Sequence, residues 1–297
     1  MNDIQRTDLG RTGLGVTRLG YGSMELRHVG MSSRPELDGK AAGALLNEVL
    51  DEGINYIDTS PTYGPAEELI GHYIAHRRDE FFLATKAGFV IDELPARRQV
   101  FSKDVVRKGL EWSLRRLRTD YVDVVQLPGS PTPSELIELG TLDELEAMRS
   151  EGKCRFLGIS GWLPSLAEHV DWGAFDTFQI PYSILERENA SVIDRAAAAG
   201  IGTVIRGGVA QGSLSDAHAA EAEARNQRWL REGLDDLLDG GTRTEFLIRF
   251  VLSNRAISTA IIGTSSSAHL RANVLAALRG PLPTDAYAKA AASIVGS

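Results

Sequence analysis

Several polar residues stand where short β-branched or aromatic runs end. Asp58 closes Ile54-Asn55-Tyr56-Ile57, Lys86 closes Phe82-Leu83-Ala84-Thr85, Ser160 closes Leu157-Gly158-Ile159 and Arg206 closes Val204-Ile205. Gln179 sits near the end of the run Phe175 to Ile180, and Tyr63 comes five residues after Asp58. Taken singly, each has an ordinary explanation: a terminal lysine is usually solvated, and an aspartate before a turn often caps the next segment. Together they form a chemical set. A tyrosine hydroxyl, with a reference pKa of about 10, donates a proton poorly at neutral pH unless a neighbouring cation stabilises its phenolate. Lys86 can supply the cation and Asp58 can hold it in place, so acid, tuner and orienter come from adjacent segments. Such a set suits protonation of an oxygen that is gaining negative charge.

These residues need a scaffold that brings strand ends together. The runs Ile54 to Asp58, Phe81 to Lys86, Val122 to Leu127, Phe156 to Ser160, Phe175 to Ile180, Gly202 to Arg206 and Ser258 to Gly263 alternate with helical patterns. An eighth run, Val16 to Tyr21, precedes them. The helical patterns include Lys40 to Glu52, Ala66 to His76, Asp104 to Arg118, Ser134 to Glu151, Ala190 to Ala199, Thr244 to Asn254 and Ala268 to Leu278. Alternation of this kind predicts βαβ units around a parallel sheet, and eight units match a (β/α)8 TIM barrel. Glycines at Glu52-Gly53, Glu151-Gly152 and Ala199-Gly200 mark helix ends where a positive φ is useful. Ahead of the alternation, Leu9-Gly10-Arg11-Thr12-Gly13-Leu14 predicts a tight turn in an N-terminal β-hairpin placed to plug the barrel bottom. After strand 7 a long loop or lid runs from Gly212 to Gly241, with Trp229, Leu230, Leu234, Leu237 and Leu238 at helical spacing. Its seven acids and three arginines point it toward substrate or solvent rather than a pyrophosphate.

Composition bounds the partners. The 297 residues are 43% hydrophobic and 24% charged, with 32 lysines and arginines against 40 acids and a net charge of −8. The length suffices for a full core without staples, and residues 1–297 are read as one barrel domain. An acidic chain argues against nucleic acid or an anionic membrane as main partner. No stretch reaches the roughly 18 apolar residues of a membrane span, and Met-Asn-Asp-Ile-Gln-Arg has no hydrophobic signal core. The single cysteine, Cys154, reads as packing in a reducing, cytoplasmic setting.

Asn55-Tyr56-Ile57-Asp58-Thr59-Ser60, then Tyr63-Gly64 and Glu68-Leu69-Ile70-Gly71, closely resembles the aldo-keto reductase signature. The resemblance runs almost end to end. Leu9-Gly10, Thr12-Gly13 and Leu19-Gly20-Tyr21-Gly22 are similar to the family's opening hairpin and first strand. Thr85-Lys86, Asp120-Tyr121-Val122-Asp123, Lys153 to Ser160, Gln179-Ile180-Pro181-Tyr182 and Ile261-Ile262-Gly263-Thr264 fall in the family's order. The resemblance implies a barrel that binds a nicotinamide dinucleotide, NADPH with NADH possible, and reduces the carbonyl of a small-molecule substrate. It implies Tyr63 as proton donor and Asp58 and Lys86 as its supports. It assigns Ser160 and Gln179 to the nicotinamide carboxamide, Arg206 to the ring, and Gly212 to the loop over the pyrophosphate. Gly263, Thr264 and Ser265 precede a helix whose amino terminus offers N–H groups to the adenosine phosphate, with His269 and Asn273 on that helix. Lysine or arginine is common in the family where Gly263 and His269 stand here; Arg271, one position from the match, is either a compensating cation or a surface charge. No metal site is implied.

One departure stands out. The family's fourth strand ends in a histidine that contacts the substrate oxygen; here Val124-Val125-Gln126-Leu127 leads into Pro128-Gly129-Ser130-Pro131. Proline offers neither a side-chain donor nor a backbone N–H. Losing one such donor typically costs about 10² to 10³ in rate. Three readings accommodate this. The protein is a carbonyl reductase in which Gly129 N–H, Ser130 or a water supplies the contact; or its chemistry has changed to enone reduction or a non-redox proton transfer; or the barrel is a nucleotide-binding sensor or interaction protein with little catalysis.

Other motifs carry less. His72 and His76 share a helix face but lack the intervening Glu and a third ligand expected of zinc. Arg115, Arg116 and Arg118 read as the solvated, cationic end of a helix.

Overall fold

A computed structural model describes residues 3–30, 38–209 and 219–293. The first two strands, β1 (Arg6–Asp8) and β2 (Gly15–Thr17), pair antiparallel as the expected hairpin. Then β3 (Leu19–Gly22) opens an alternation of strands and helices. It continues through α1 (Gly39–Asp51), β4 (Tyr56–Asp58), α2 (Ala66–Tyr73), β5 (Phe82–Lys86) and α3 (Lys103–Leu117). Next come β6 (Val122–Pro128), α4 (Pro133–Glu138), α5 (Thr141–Ser150), β7 (Cys154–Ser160), α6 (Ser165–Trp172) and β8 (Thr177–Pro181). The chain finishes with α7 (Ala190–Ala198), β9 (Gly202–Arg206), α8 (Ala219–Arg231), α9 (Arg243–Ser253), β10 (Thr259–Ile262), α10 (Ser267–Leu278) and α11 (Thr284–Ala292). Strands β3 to β10 form a closed barrel in chain order, all pairs parallel, with β10 returning to β3.

Alternation along the strands sorts side chains into layers, as in barrels of this class. Tyr56, Ala84, Val124, Val204 and Ile261 form a separate apolar cluster with Leu9, Leu14 and Val16 of the hairpin. Two residues farther along β4, β5, β6 and β9 come Asp58, Lys86, Gln126 and Arg206, so the polar set lies one layer above an apolar floor. The hairpin closes that floor. The Arg11 N–H donates to the Gly200 carbonyl at 2.7 Å, and a Cβ on Gly10 would lie 2.2 Å from the Gly202 nitrogen, an approach only glycine allows.

Several boundaries differ from the sequence pattern, among them α2, which ends at Tyr73 rather than His76. The run Val16 to Tyr21 divides into two strands at Arg18, whose guanidinium donates to the Leu252 and Asn254 carbonyls. The barrel strand after it starts at Tyr56 rather than Ile54. Asn55 instead spends its side chain on Thr17 N–H, at 2.6 Å, and on the Gly15 carbonyl, at 2.9 Å. The pattern Ser134 to Glu151 breaks into α4 and α5 at Gly140, φ 62°. In the long connection after β9, α8 is helical as its spacing predicts. Trp229 and Leu234 are buried, whereas Leu230 is half exposed. Arg228 ties this helix to the Leu185 carbonyl at 2.8 Å, and Trp229 Nε1 donates to Asp235 at 2.7 Å.

Candidate active site

Asp58 is the hub of the polar layer. It is buried at the end of β4, and one oxygen, Oδ1, accepts from Lys86 Nζ at 3.0 Å, Gln126 Nε2 at 2.8 Å and Gln179 Nε2 at 2.7 Å. The other, Oδ2, accepts from Lys86 at 2.8 Å. Lys86, also buried, donates its remaining bond to the Thr59 carbonyl at 3.0 Å. Burial disfavours the ammonium, but the Asp58 carboxylate and the facing Tyr63 outweigh it and hold Lys86 above the ordinary lysine range. The lysine is therefore a permanent cation here. Its Nζ lies over the Tyr63 ring, 5.3 Å from the centroid.

On the next strands, Ser160 Oγ donates to Gln179 Oε1 at 2.8 Å, so both amide groups of Gln179 are fixed, one by Ser160 and one by Asp58. Arg206 ends β9 with its guanidinium 5.8 Å from the Trp162 ring centroid, and burial lowers its pKa from the usual arginine value. Asp58, Tyr63, Lys86, Ser160, Gln179 and Arg206 thus come together at one end of the barrel. Gln126, which the sequence pattern offers only as part of its strand, belongs to the same layer. The signal for it is its register opposite Lys86. Trp162, half exposed beside Arg206, is a further member that no strand-end pattern marks.

The remaining positions lie at the start of α10. Gly263 is exposed, and a Cβ there would lie 2.9 Å from the Gly22 carbonyl. Thr264 is buried, its carbonyl accepting from the Tyr21 hydroxyl at 2.8 Å and its Oγ1 from Ser266 N–H at 3.0 Å. Ser265 is half-buried, His269 exposed and Asn273 buried. Arg271 pairs with Glu48 of α1 at 2.6 Å, which favours its reading as a surface charge. Gly212 lies outside the described residues.

At the end of β6 stands Pro128, in register with Ser160. The Ser130 hydroxyl is held at the backbone of Trp162, 3.3 Å from its nitrogen and 3.5 Å from its oxygen. The Pro131 carbonyl accepts from Ser165 Oγ at 2.9 Å and His169 Nε2 at 2.7 Å. Of the three arginines expected to be solvated, Arg115 and Arg118 are exposed but Arg116 is not: its side chain is 16% exposed and lies against the buried Glu67. Among the described residues no group of three His, Cys, Asp or Glu side chains gathers. Cys154 is buried, which pushes its thiol up to about 12 and fits a packing role.

Known proteins similar in sequence and in structure support the barrel architecture. The sequence model described as the Aldo/keto reductase family matches residues 18–294. An oxidoreductase named YqkF from Bacillus subtilis (strain 168) is 29% identical over 92% of this chain and 91% of its own. Pyridoxine 4-dehydrogenase of Escherichia coli (strain K12) is 30% identical over 88% of this chain and 89% of its own. Among solved structures, the holo form of aldo-keto reductase AKR11C1 from Bacillus halodurans superposes with a TM-score of 0.82 at 27% identity. It covers 98% of this chain and 96% of that one.

Proposed function

The chain belongs to the aldo/keto reductase family, and from that premise we propose that it reduces an aldehyde or ketone of a small molecule to an alcohol, with NADPH as cofactor and NADH also accepted. The observation that carries this is the buried Lys86 ammonium, clamped by Asp58 and lying over Tyr63. In this reading Tyr63 gives its hydroxyl proton to the carbonyl oxygen. Lys86 stabilises the phenolate left behind, and Asp58, fixed by Gln126 and Gln179, keeps the ammonium charged and aimed.

The chain's donors suit a nicotinamide dinucleotide. Ser160 and Gln179 form a polar pair at the floor of the mouth, Arg206 offers a flat cation for stacking, and the start of α10 presents main-chain N–H groups to a phosphate. When bound, the cofactor supplies the hydride. At the far end, His269 and main-chain N–H groups stand where a stronger cation would clamp an extra phosphate, and Arg271 is engaged by Glu48. This supports weak discrimination between the two nucleotides.

Pro128 favours a second reading, in which the Asp58, Tyr63 and Lys86 set serves enone reduction or a non-redox proton transfer, or the barrel only senses nucleotide. The test is titration of the purified protein with NADPH and NADH, then turnover of an aldehyde and ketone panel by wild type and Tyr63→Phe. Tight binding and turnover that disappears with the hydroxyl supports carbonyl reduction. Binding without turnover supports the second reading, and binding of neither nucleotide removes the redox and sensor readings. We further read residues 1–297 as one cytoplasmic domain, a placement supported by the lone buried Cys154. Among the described residues no helix is long and apolar enough to cross a membrane.

A further inference from the structure

The catalytic set faces the inside of the barrel, yet the loop that carries Tyr63 is also held from outside. Gly64, next to Tyr63, has φ 54°, and a Cβ there would lie 3.3 Å from the Arg27 carbonyl, so any other residue would be strained at this position. The Gly64 carbonyl points outward, where Arg116 Nη2 of α3 donates to it at 2.5 Å.

The same guanidinium makes three other contacts. It stacks 4.2 Å above the Trp112 ring, pairs with Glu68 at 3.0 Å, and turns Nε to Oε2 of Glu67 at 3.4 Å. Glu67 is fully buried. Burial pushes its carboxyl above the usual range, while Thr85 and Arg116 pull the other way. Its second oxygen, Oε1, accepts from the Thr85 hydroxyl at 2.7 Å. Thr85 precedes Lys86, so the two side chains leave β5 on opposite faces, one outward to Glu67 and one inward to Asp58.

A closed circuit results: Lys86, Thr85, Glu67, Arg116, Gly64, Tyr63. The helices are locked where it crosses between them, since a Cβ on Gly71 of α2 would lie 2.2 Å from the Arg116 carbonyl. We propose that Arg116 is a positioning residue for Tyr63, acting with Glu67 as an external clasp that fixes the tyrosine loop relative to the strand bearing Lys86. The proposal rests on the reading of Tyr63 as proton donor. Removing Arg116 would leave the buried Glu67 without a cation beside it, which destabilises the fold, so the clasp is judged by a readout separate from stability. Its bond to the main chain beside Tyr63 acts instead on geometry, where displacement of a reacting group by about 1 Å costs on the order of 10² in rate.

The test compares wild type with Arg116→Met, which keeps an apolar stem against Trp112, Arg116→Lys, Glu67→Gln and Tyr63→Phe. The probes are 4-nitrobenzaldehyde and NADPH, with kcat, KM, nucleotide Kd and the pH profile of kcat measured for each. Arg116→Met is expected to lower kcat about 10- to 100-fold with KM and nucleotide Kd within about twofold, and to move the pH profile. Arg116→Lys is expected to recover part of the loss, and Glu67→Gln to fall between Arg116→Lys and wild type. If Arg116→Met does not fold, as judged by its melting transition, Arg116→Lys and Glu67→Gln carry the same comparison. Unchanged kcat and pH profile, or a lower kcat accompanied by a comparable rise in KM and Kd, overturns the clasp. Full turnover in Tyr63→Phe instead overturns the proton-donor reading, and the clasp with it; loss of turnover in Tyr63→Phe beside wild-type kcat in the Arg116 variants overturns the clasp alone.

Discussion

The two walls of the barrel mouth are built on opposite principles. On the β4 and β5 side, side chains do the holding: Asp58 accepts four donor contacts from Lys86, Gln126 and Gln179, and Lys86 reaches Tyr63. On the β6 side, the segment Pro128 to Pro131 offers mainly backbone. Pro128 has no donor, Ser130 is committed to Trp162, and the segment is secured from beneath by Ser165 and His169 gripping the Pro131 carbonyl. In the function proposed above, the acid and its tuning charge are kept while the neighbouring β6 segment presents a proline, so acidity and substrate contact would be separable parts of the fold.

The sharpest way to break this contrast is to remove the acid. Tyr63→Phe should lower kcat/KM for 4-nitrobenzaldehyde by about 10² to 10⁴ while nucleotide Kd, read by fluorescence titration, stays near wild type. An unaffected rate would mean that the bonded wall has no privileged chemical role. The neighbouring β6 wall is tested by addition. Pro128→His should raise turnover of simple aldehydes by roughly tenfold, part of what one preorganised donor is worth. No gain in steady-state rate would show that the backbone wall has been shaped for a different reaction.

A smaller effect is expected at the cofactor's far end, where Kd values for NADPH and NADH should differ by less than about tenfold, one decade being ~1.4 kcal/mol. The smallest concerns the support beneath the β6 wall. Burial holds the His169 imidazole below its ordinary range, so the unfolded chain takes up the proton first as pH falls. Stability contributed by neutral His169 is thus present above about pH 6.5 and declines below it. His169→Gln, which retains an N–H for the Pro131 carbonyl, should flatten that dependence between pH 7.5 and 5 at a cost of about 1 kcal/mol. Thermal melts across that range decide it.

The legibility of the site in the sequence depends on the range of the interactions. Asp58, Lys86, Ser160 and Arg206 are visible because each ends a β-branched run, and alternation then sets them on one layer. Gln126 is hidden inside its strand, since its partner Asp58 is two strands away and meets it only on closure. Arg116 is obscured for the same reason. As part of Arg115, Arg116 and Arg118 it looks like a solvated helix end, and only the packing of α2 on α3 turns it onto Gly64 and Glu67. Asn55 moves an element boundary through side-chain bonds to residues about 40 positions earlier, and Gly140 through one positive φ; periodicity registers neither.

The hairpin farthest from the chemistry has an electrical consequence. Leu9, Leu14 and Val16 seal the lower end of the cylinder against Tyr56, Ala84 and Val124, one layer beneath Asp58 and Lys86. The floor beneath that ion pair is apolar, so the local dielectric is lower below it than at the open mouth. The plug is insulation: a polar residue at Leu14 would change the dielectric beneath Asp58 and Lys86 without touching either.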